Sequence, residues 1–406
     1  MKQKICLTTL EYPPDVGGVG ESANRIAQML LDFGYEVHVA VFRGVFRKEK
    51  EKAIAGEYKR SFLTTTEQNG IFVHRLKPAI RSSVAGDGDY LGDIYLQLKS
   101  LHKKYRFDLF HAFFINETGF ISTLLAKENN LPVINSVRGA DLHKHVFSPQ
   151  HYGQISWILE NSSWTTFVSR DLMNRARVIV PSLKAKSSAF WNSINPIEFD
   201  DLPTPKLVDR LQGIVIGSVG RFRDKKGLEY LLDACRQLKS ETDLTLLLVG
   251  DFVEKEMEYW EAEIRNSNLG DRLVITGAIS RSEALTYLPY IDIFTIPSLS
   301  DGCPNALLEA MLAGKAIVGS QVDAIGEILE DGLDGLLVNP CSSQELASAL
   351  QKLIANPQMR VSFGAASKEK VLDRLAPAVE KKNWHKVYQQ ALGITQKLMV
   401  STANIA

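Results

Sequence analysis

The sequence predicts an α/β protein with two parallel-sheet domains, because apolar runs of strand length alternate with helix-length amphipathic segments in both halves of its 406 residues. Several of these runs end in polar or glycine-containing loops, which is typical of strands whose carboxyl ends line a binding site. We place the first domain at residues 1–205 and the second at 206–375, with a helical tail over 376–406. A polar, proline-containing stretch from Asp200 to Pro205 indicates a stiff linker between them.

The composition is that of an ordinary globular protein, with 45% hydrophobic and 23% charged residues. Its 47 basic and 47 acidic side chains give no net charge, which argues against nucleic acid as a main partner. The four cysteines are far apart and match neither a metal site nor a disulfide framework, which favours a reducing compartment. No apolar run is long enough to span a bilayer or to form a signal-peptide core. We therefore expect a cytoplasmic protein, and its oligomeric state stays open.

The first element is an apolar strand over Lys4–Leu10, followed by a glycine-rich turn and a helical pattern over Glu21–Phe33. Gly17 and Gly18 lie in the turn, where glycine lets the backbone approach an anion at the start of a helix. A plain tight turn is the alternative interpretation, because a glycine-rich turn alone is a weak signal.

Further strands are predicted over Tyr35–Phe42 and Ile71–Leu76, and the charged stretch between them, residues 43–60, is predicted to be solvated. Asp87 and Asp89 have the spacing of a carboxylate pair that can hold a divalent ion. No apolar strand leads into this pair, and the serines and glycines before it predict a loop. We therefore expect no metal site there.

A helix is predicted over Leu91–Arg106, and basic side chains gather toward its end. Cations at this end complement the helix dipole, which is the simpler explanation. The alternative is a basic face that lies on a membrane surface. The basic residues are Lys99, His102, Lys103, Lys104 and Arg106.

Two more strands, Phe107–Phe114 and Pro132–Val137, complete the pattern of the first half. The second strand runs into an Arg-Gly-Ala-Asp-Leu-His loop, at the kind of strand end where open sheets place their sites. The Arg138 guanidinium cannot act as a base, but it can bind a phosphate or carboxylate through two hydrogen bonds. Candidate residues of this region are His111, Arg138, Asp141 and His143.

The second half opens with a buried strand over Gly213–Gly220, followed by Arg221 and by a lysine pair before Gly227. Arg221 and Lys226 are two cations placed to neutralise a diphosphate. Lys225 competes with Lys226 for this role, but Lys226 is favoured because it directly precedes the glycine. An ordinary charged loop between strand and helix is the alternative.

A later strand over Ile291–Pro297 leads through a polar loop into a helix over Ala306–Leu312. Asn305 is a good N-cap residue, so we expect its side chain to cap this helix. Backbone N–H groups of the loop would then face an anion at the positive helix end. Asp301 and Glu309, eight positions apart, lie before and inside the helix; a surface Asp and a helix Glu of any α/β domain are the alternative.

This carboxylate-x7-Glu segment resembles the signature of retaining GT-B glycosyltransferases of family 4. Two further elements are similar to that family: the Glu-x-Pro-Pro-x-x-Gly-Gly turn that contains Gly17 and Gly18, and the Gly-Arg…Lys-Gly element around Arg221 and Lys226. The loop at Arg138 departs from it, since the family commonly has His-Gly-x-Asp there. The resemblance extends over nearly the whole chain and is more specific in the second half.

The resemblance implies a GT-B fold, in which two Rossmann-like parallel-sheet domains face each other across an interdomain cleft. It implies a retaining transfer of a sugar from a UDP- or GDP-sugar to an acceptor hydroxyl, without a metal ion or other cofactor. Glu309 would hydrogen-bond the ribose hydroxyls, Asp301 would contact the sugar, and Val274–Ile279 would hold the nucleobase. The implied catalytic residues are Arg221, Lys226, Asp301, Glu309 and Arg138. The implied donor-binding residues are Gly17, Gly18, Gly220, Val274, Gly277, Gly302, Pro304, Asn305 and Ala306.

The implied partners are the nucleotide sugar and a glycan, small-molecule or lipid-linked acceptor in glycan, polysaccharide or glycolipid biosynthesis. A lipid-linked acceptor would suit peripheral contact of the first domain with the inner face of the membrane. His111, Asp141 and His143 would then lie on the acceptor side. Two other functions stay open: an epimerase of the same fold, and a protein that binds a nucleotide sugar without catalysis.

Overall fold

The computed structural model of the protein describes residues 2–15, 18–42, 59–79, 87–240 and 242–403, without the side chains of 87–89 and 394–403. Gly17 and most of the charged stretch 43–60 lie outside the described residues. The chain divides into two compact units. The first unit comprises Met1–Val168, Leu172–Phe190 and Lys381–Ala406, and the second comprises Ser169–Asp171 and Trp191–Glu380.

The first unit is built on an eight-stranded sheet with the order β3-β4-β2-β1-β5-β6-β7-β8. All neighbouring strands are parallel except β3 and β4. The chain order reverses between β1 and β5, so these two central strands form the topological switch point. The strands are β1 Lys4–Thr9, β2 Glu36–Phe42, β3 Phe62–Gln68, β4 Ile71–Lys77, β5 Leu109–Phe113, β6 Val133–Val137, β7 Trp164–Phe167 and β8 Ser187–Ala189.

Helices connect these strands, as parallel strand pairing requires. They are α1 Gly18–Asp32, α2 Asp87–Tyr105, α3 Glu117–Glu128, α4 Ala140–His143, α5 Pro149–Asn161 and α6 Arg170–Ile179. Asp87 and Asp89 thus begin the helix α2 instead of forming the predicted loop. A short 3-10 turn, His145–Phe147, joins α4 to α5.

The core of the first unit includes side chains from the end of the chain. Ile5 and Val39, from the central strands, pack in the same cluster as Trp384 and Tyr388 of the last helix, and all four are at most 2% exposed. This last helix spans Pro377–Ala403, and its residues from Lys381 onward belong to the first unit.

The second unit has a six-stranded parallel sheet with the order β11-β10-β9-β12-β13-β14. The first three strands along the chain extend the sheet in one direction from β9, and the next three extend it in the other. The switch point therefore lies between β9 and β12. The strands are β9 Ile214–Val219, β10 Leu244–Val249, β11 Leu273–Ile275, β12 Ile293–Ile296, β13 Ala316–Ser320 and β14 Leu336–Val338.

Two apolar clusters, one of them around Trp260 and the other around Phe294, form the core of the second unit. Its helices are α7 Leu228–Leu238, α8 Met257–Ser267, α9 Arg281–Tyr287, α10 Asn305–Leu312, α11 Asp323–Ile328, α12 Ser343–Ala355 and α13 Pro357–Arg374, followed by α14 Pro377–Ala403. Over the described part of the chain, no helix combines the length and apolar character needed to cross a bilayer.

The division between the units comes earlier in the chain than the predicted boundary at residue 205. Ile194 belongs to the core of the second unit, and its backbone N–H donates to the Leu375 carbonyl oxygen at 3.1 Å. The Glu380 carboxylate accepts from the Ser193 backbone N–H at 2.9 Å. These contacts attach the segment before the predicted linker to the second unit.

Candidate functional site

The switch point of the second unit brings the two best-defined sequence motifs together. The chain leaves β9 into the loop that holds Arg221 and Lys226, and it leaves β12 into the loop that holds Asp301. β9 and β12 are neighbouring parallel strands, so both loops emerge at the same edge of the sheet. A crevice at this position is the usual ligand site of an open α/β sheet.

Gly227 fixes the approach of these two loops. It has φ +62°, and a Cβ atom there would lie 2.0 Å from the carbonyl oxygen of Pro297. The backbone N–H of Leu299 donates to the Lys225 carbonyl oxygen at 2.8 Å. Only glycine allows this contact, so Gly227 sets the position of the lysine pair against the end of β12.

Asp301 lies between the two lysines. The Lys226 Nζ donates to Asp301 Oδ2 at 2.6 Å, and the Lys225 Nζ lies 3.8 Å from Asp301 Oδ1. The Asp301 backbone N–H donates to Asp323 Oδ2 at 2.9 Å, which holds the loop in place. Both lysines therefore lie against Asp301, whereas the sequence favoured Lys226 over Lys225.

The charges of this cluster influence one another. Burial by itself would raise the pKa of the Asp301 carboxyl, but Lys226 and Lys225 outweigh burial and hold this pKa below its usual range. Burial lowers the pKa of the Lys225 ammonium, and Asp301 opposes that shift. The carboxylate is thus kept ionised beside two cations.

Arg221 reaches further into solvent than the lysines. Its side chain is 67% exposed, and its Nε lies 4.0 Å from Asp251 Oδ2. Gly220, directly before it, has φ +148° and open space where a side chain would lie. The arginine is therefore available to an anion at the end of β9.

The helix α10 begins at Asn305, so the predicted N-cap is wrong by one position. Pro304 occupies the N-cap position, with φ −77° and ψ 123°. The Asn305 Oδ1 instead lies 3.5 Å from the Asn192 Nδ2, and Cys303 O accepts from the same amide nitrogen at 3.2 Å. A proline side chain cannot cap, so the first N–H groups of α10 receive no side-chain cap from this position. Gly302 and Ala306 flank this helix start.

Glu309 is held by a residue that the sequence analysis missed. Arg281, the first residue of α9, donates to Glu309 Oε1 through Nε at 2.8 Å, and its Nη2 lies 2.8 Å from the same oxygen. Burial raises the pKa of the Glu309 carboxyl, and Arg281 opposes the shift. A cation in the first turn of a helix is disfavoured by the helix dipole, which is the sequence signal that could have marked Arg281.

The segment predicted to hold a nucleobase, Val274–Ile279, begins inside β11 and continues past the end of that strand. Val274 is fully buried, so its side chain belongs to the core. Beyond the strand, Thr276 Oγ1 accepts from the Gly250 N–H at 2.9 Å and donates to the Gly277 carbonyl oxygen at 2.9 Å. Gly277 has φ +72° and open space beside it. The Thr276 backbone N–H itself donates to the Leu248 carbonyl oxygen at 3.1 Å, so the open backbone of this segment lies at Gly277.

In the first unit, Arg75 organises the start of the glycine-rich loop. This arginine of β4 donates through Nη1 to Asp15 Oδ2 at 3.1 Å and through Nη2 to the carbonyl oxygens of Pro13 at 2.6 Å and Tyr12 at 3.3 Å. Gly18 is the first residue of α1. An arginine inside a strand with buried apolar neighbours was the available signal for Arg75.

The loop after β6 is closed by Asp141. This carboxylate is 1% exposed and accepts from the backbone N–H groups of Arg138 at 3.0 Å and Ile115 at 3.1 Å. Burial raises the pKa of Asp141, although the two donors oppose it. The Arg138 Cζ lies 5.2 Å from the centroid of the Phe113 ring, in cation–π geometry. Asp141 therefore shapes the loop that presents Arg138.

His111 lies within β5 and is fully buried. Its Nδ1 is 2.5 Å from the Tyr388 hydroxyl, and its Nε2 is 2.7 Å from Ser136 Oγ. Burial, with a contribution from Arg138, lowers the pKa of His111 to about 3. Because it is fully buried in this structure, His111 cannot contact an acceptor directly. His143 ends α4 and is partly buried.

The fold and the site define the chain as a glycosyltransferase of the GT-B class. The family model described as glycosyl transferases group 1 matches residues 205–370, and the model described as glycosyl transferase 4-like matches residues 23–169. The protein belongs to the family 4 type of these enzymes. The predicted fold class and enzyme class are thereby confirmed.

Three curated relatives match over most of their length. An uncharacterized glycosyltransferase of Methanocaldococcus jannaschii is 24% identical, over 90% of this chain and 92% of the relative. The N-acetyl-alpha-D-glucosaminyl L-malate synthase of Bacillus anthracis is 22% identical, over 97% of this chain and 98% of that protein. The amylovoran biosynthesis glycosyltransferase AmsK of Erwinia amylovora is 28% identical over 70% of each chain.

Solved structures share the fold at low sequence identity. The sucrose-phosphate synthase of Thermosynechococcus elongatus superposes with a TM-score of 0.78 at 20% identity, over 97% of this chain and all of the other. HepE of Anabaena, solved in complex with UDP and glucose, superposes with a TM-score of 0.72 at 17% identity, over 95% and 99% of the two chains.

Proposed function

We propose that the protein transfers a sugar from a nucleoside diphosphate sugar, with UDP or GDP as the carrier, to an acceptor hydroxyl with retention of anomeric configuration. The observation that carries this proposal is the cluster of Lys225, Lys226 and Asp301 at the carboxyl ends of β9 and β12. The complex of HepE with UDP and glucose supports a nucleotide-sugar donor, since that protein has the same fold.

Leaving-group stabilisation is the task of the cations in this proposal. As the bond between the anomeric carbon and the diphosphate breaks, negative charge grows on the departing phosphate oxygen. Lys226 and Arg221 would neutralise that charge, and preorganised charges of this kind account for a large part of many catalytic effects. The N–H groups at the start of α10, which Pro304 leaves uncapped, would add donors to the same anion.

The two carboxylates would divide recognition of the donor. Asp301, held ionised beside the lysines, would contact the sugar, and Glu309 would accept hydrogen bonds from the ribose hydroxyls. The acceptor oxygen would form the new bond on the face that the diphosphate leaves. Its proton would pass to the departing phosphate oxygen, so the step needs no protein nucleophile.

The reaction is proposed to need neither a metal ion nor another cofactor, because three basic side chains supply positive charge to the diphosphate. Arg221, Lys225 and Lys226 lie in a single loop after β9. Their combined charge would take the place of a divalent cation. Retention of activity in excess EDTA is therefore expected, and a loss that Mn²⁺ or Mg²⁺ restores would contradict this part of the proposal.

The first unit is proposed to bind the acceptor, with Arg138 as the anion-binding group of its β6 loop. The acceptor would be a glycan, a small molecule or a lipid-linked sugar, with a role in glycan, polysaccharide or glycolipid biosynthesis. The Erwinia amylovora relative is named for amylovoran biosynthesis, which supports a biosynthetic role. Peripheral membrane contact would use the helix α2, where Leu96 is 62% exposed. Its Lys99 is hydrogen-bonded to Tyr95 at 2.7 Å and to Glu128 at 3.2 Å. The positive charge that would contact anionic lipid would therefore come from the basic residues at the C-terminal end of this helix.

The test is incubation of the purified protein with a panel of UDP- and GDP-sugars, with and without candidate acceptor glycans. A transferase releases nucleoside diphosphate and forms a glycoside of unchanged anomeric configuration. An epimerase would instead yield a new nucleotide sugar without an acceptor, and a binding protein would yield neither product. Inversion at the anomeric carbon would overturn the retaining mechanism.

A further inference from the structure

We propose that Arg281 is a positioning residue of the donor site, which orients the Glu309 carboxylate so that its Oε2 accepts hydrogen bonds from the ribose hydroxyls of a nucleoside diphosphate. The inference rests on the proposed function of the second unit and deepens it. Arg281 would act through Glu309 and would not itself contact the reacting atoms.

The hydrogen-bond geometry is one-sided. Both the Nε and the Nη2 of Arg281 lie 2.8 Å from Glu309 Oε1. Within the described ranges, no residue donates a hydrogen bond to Oε2. Two nitrogen atoms of a planar guanidinium that bind the same carboxylate oxygen fix the orientation of the carboxylate, and therefore the direction of its other oxygen. Oε2 is therefore the atom left for a ligand.

The burial of Glu309 makes the positive charge of Arg281 important for keeping the carboxylate ionised. The residue Glu309 is 7% exposed, and an isolated carboxylate at such a position is costly to ionise. Arg281 supplies the compensating charge, and it opposes the rise in the Glu309 pKa that burial causes. Without it the carboxyl would be protonated at a higher pH, and a protonated carboxyl is a weaker acceptor for hydroxyl groups.

Local helix stability does not explain an arginine at this position. Arg281 is the first residue of α9, where the helix dipole disfavours a cation. The helix start is already capped, because Ser280 Oγ accepts from the Glu283 N–H at 3.1 Å. The contact with Glu309 is thus the feature that accounts for Arg281.

The experiment measures the affinity of UDP, GDP and ADP by calorimetry between pH 5.5 and 8.5, with 2′-deoxy-UDP as the comparison for the ribose hydroxyls. The variants are Arg281→Gln, Glu309→Gln and the double variant. The matched control is Arg265→Gln, which removes another exposed arginine of the same unit, one that lies 3.9 Å from Glu261. Protonation of the diphosphate itself affects every variant alike, so the ratio to wild type is the quantity compared.

We expect Arg281→Gln to weaken binding about tenfold at the acid end of this range, roughly the effect of one lost hydrogen bond to a charged group, and to recover toward wild type as pH rises, because Glu309 then ionises unaided. Glu309→Gln should lose affinity at every pH, and the double variant should be no weaker than Glu309→Gln alone. The preference of wild type for UDP over 2′-deoxy-UDP should shrink in Arg281→Gln, which a merely structural effect would not cause. Arg265→Gln should match wild type.

Wild-type affinity and pH dependence in Arg281→Gln would overturn this inference, as would additive losses in the double variant. If the proposed donor site itself were wrong, wild type would bind none of the three nucleotides, and this outcome is distinct from a failure of the Arg281 inference. Thermal unfolding checks that each variant is folded. If Arg281→Gln does not fold, Arg281→Lys is tested in its place. Lysine keeps the positive charge but cannot reach Glu309 Oε1 from two nitrogen atoms. This variant should lose the preference for the 2′-hydroxyl while its affinity depends less on pH than that of Arg281→Gln.

Discussion

Lys226 donates a 2.6 Å hydrogen bond to Asp301 although the two residues are 75 positions apart. The pair joins the loops that follow two neighbouring strands, so it is present before any ligand arrives. A diphosphate that binds beside Lys226 would share this cation with Asp301. The ion pair therefore links the group that would stabilise the leaving phosphate to the group that would contact the sugar.

Removal of a cation from the loop after β9 should slow the chemical step. We expect Lys226→Ala and Arg221→Ala each to lower kcat by about 10²- to 10³-fold, the usual effect of deleting a charge-stabilising donor. Steady-state kinetics with the preferred donor measures this. Lys239→Ala, which removes a partly exposed lysine bonded to the Asn268 carbonyl oxygen, is the control. A kcat near wild type in either loop variant would remove that residue from the leaving-group role.

Substitution of Glu309 and substitution of Asp301 should change different kinetic constants. Glu309→Gln should mainly raise KM, because ribose hydroxyls are present equally in the bound donor and in the transition state. Asp301→Asn should mainly lower kcat, since charge develops on the sugar that Asp301 is proposed to contact. Calorimetry with the bare nucleoside diphosphate completes the comparison. Wild-type affinity for that ligand in Glu309→Gln would rule out a ribose contact.

Gly227 should tolerate no side chain. Alanine there combines a left-handed backbone conformation with a Cβ atom 2.0 Å from the Pro297 carbonyl oxygen, so the loop must move. Gly332→Ala is a matched control, with φ +76° and nothing within 4 Å of the added atom. We expect the control to lose about 1–2 kcal/mol of unfolding free energy and Gly227→Ala to lose more. Urea denaturation measures both, and equal losses would contradict a tight contact.

Buried histidines should make the first unit acid-sensitive. Burial lowers the pKa of His111 to about 3 and, with the charges of His38 and Lys104, that of His74 to about 4. The unfolded chain takes up protons near pH 6.5, where the folded chain does not, so stability is lost as pH falls from about 6.5 toward 4 and 3. His111→Gln should flatten this dependence of unfolding free energy on pH. An unchanged slope would contradict the low pKa.

Strands and loops could be predicted from the sequence where a short-range hydrophobic pattern determines them. Apolar runs predicted the strands that end at Thr9 and Ile296, and the polar loops that follow mark the motifs. The strand Phe62–Gln68 was missed because it is exposed throughout and has no apolar face; its pairing with β4 defines it.

Long-range side-chain partners could not be predicted. Arg281 and Glu309 are 28 residues apart, and Arg75 and Asp15 are 60 apart. No periodicity relates such pairs, since they depend on how the strands are ordered in the sheet. The expected cap at Asn305 was wrong for a similar reason, because Asn192, 113 residues away, lies beside its side chain.

The last helix has a consequence for how the protein is made. Trp384 and Tyr388 complete the core around the first strands, and Tyr388 lies within hydrogen-bond distance of His111, 277 residues earlier. A ribosome delivers these side chains only after the whole second unit has emerged. Until then the nascent first unit has an open apolar face, so a stalled or shortened chain would expose that face to chaperones and proteases.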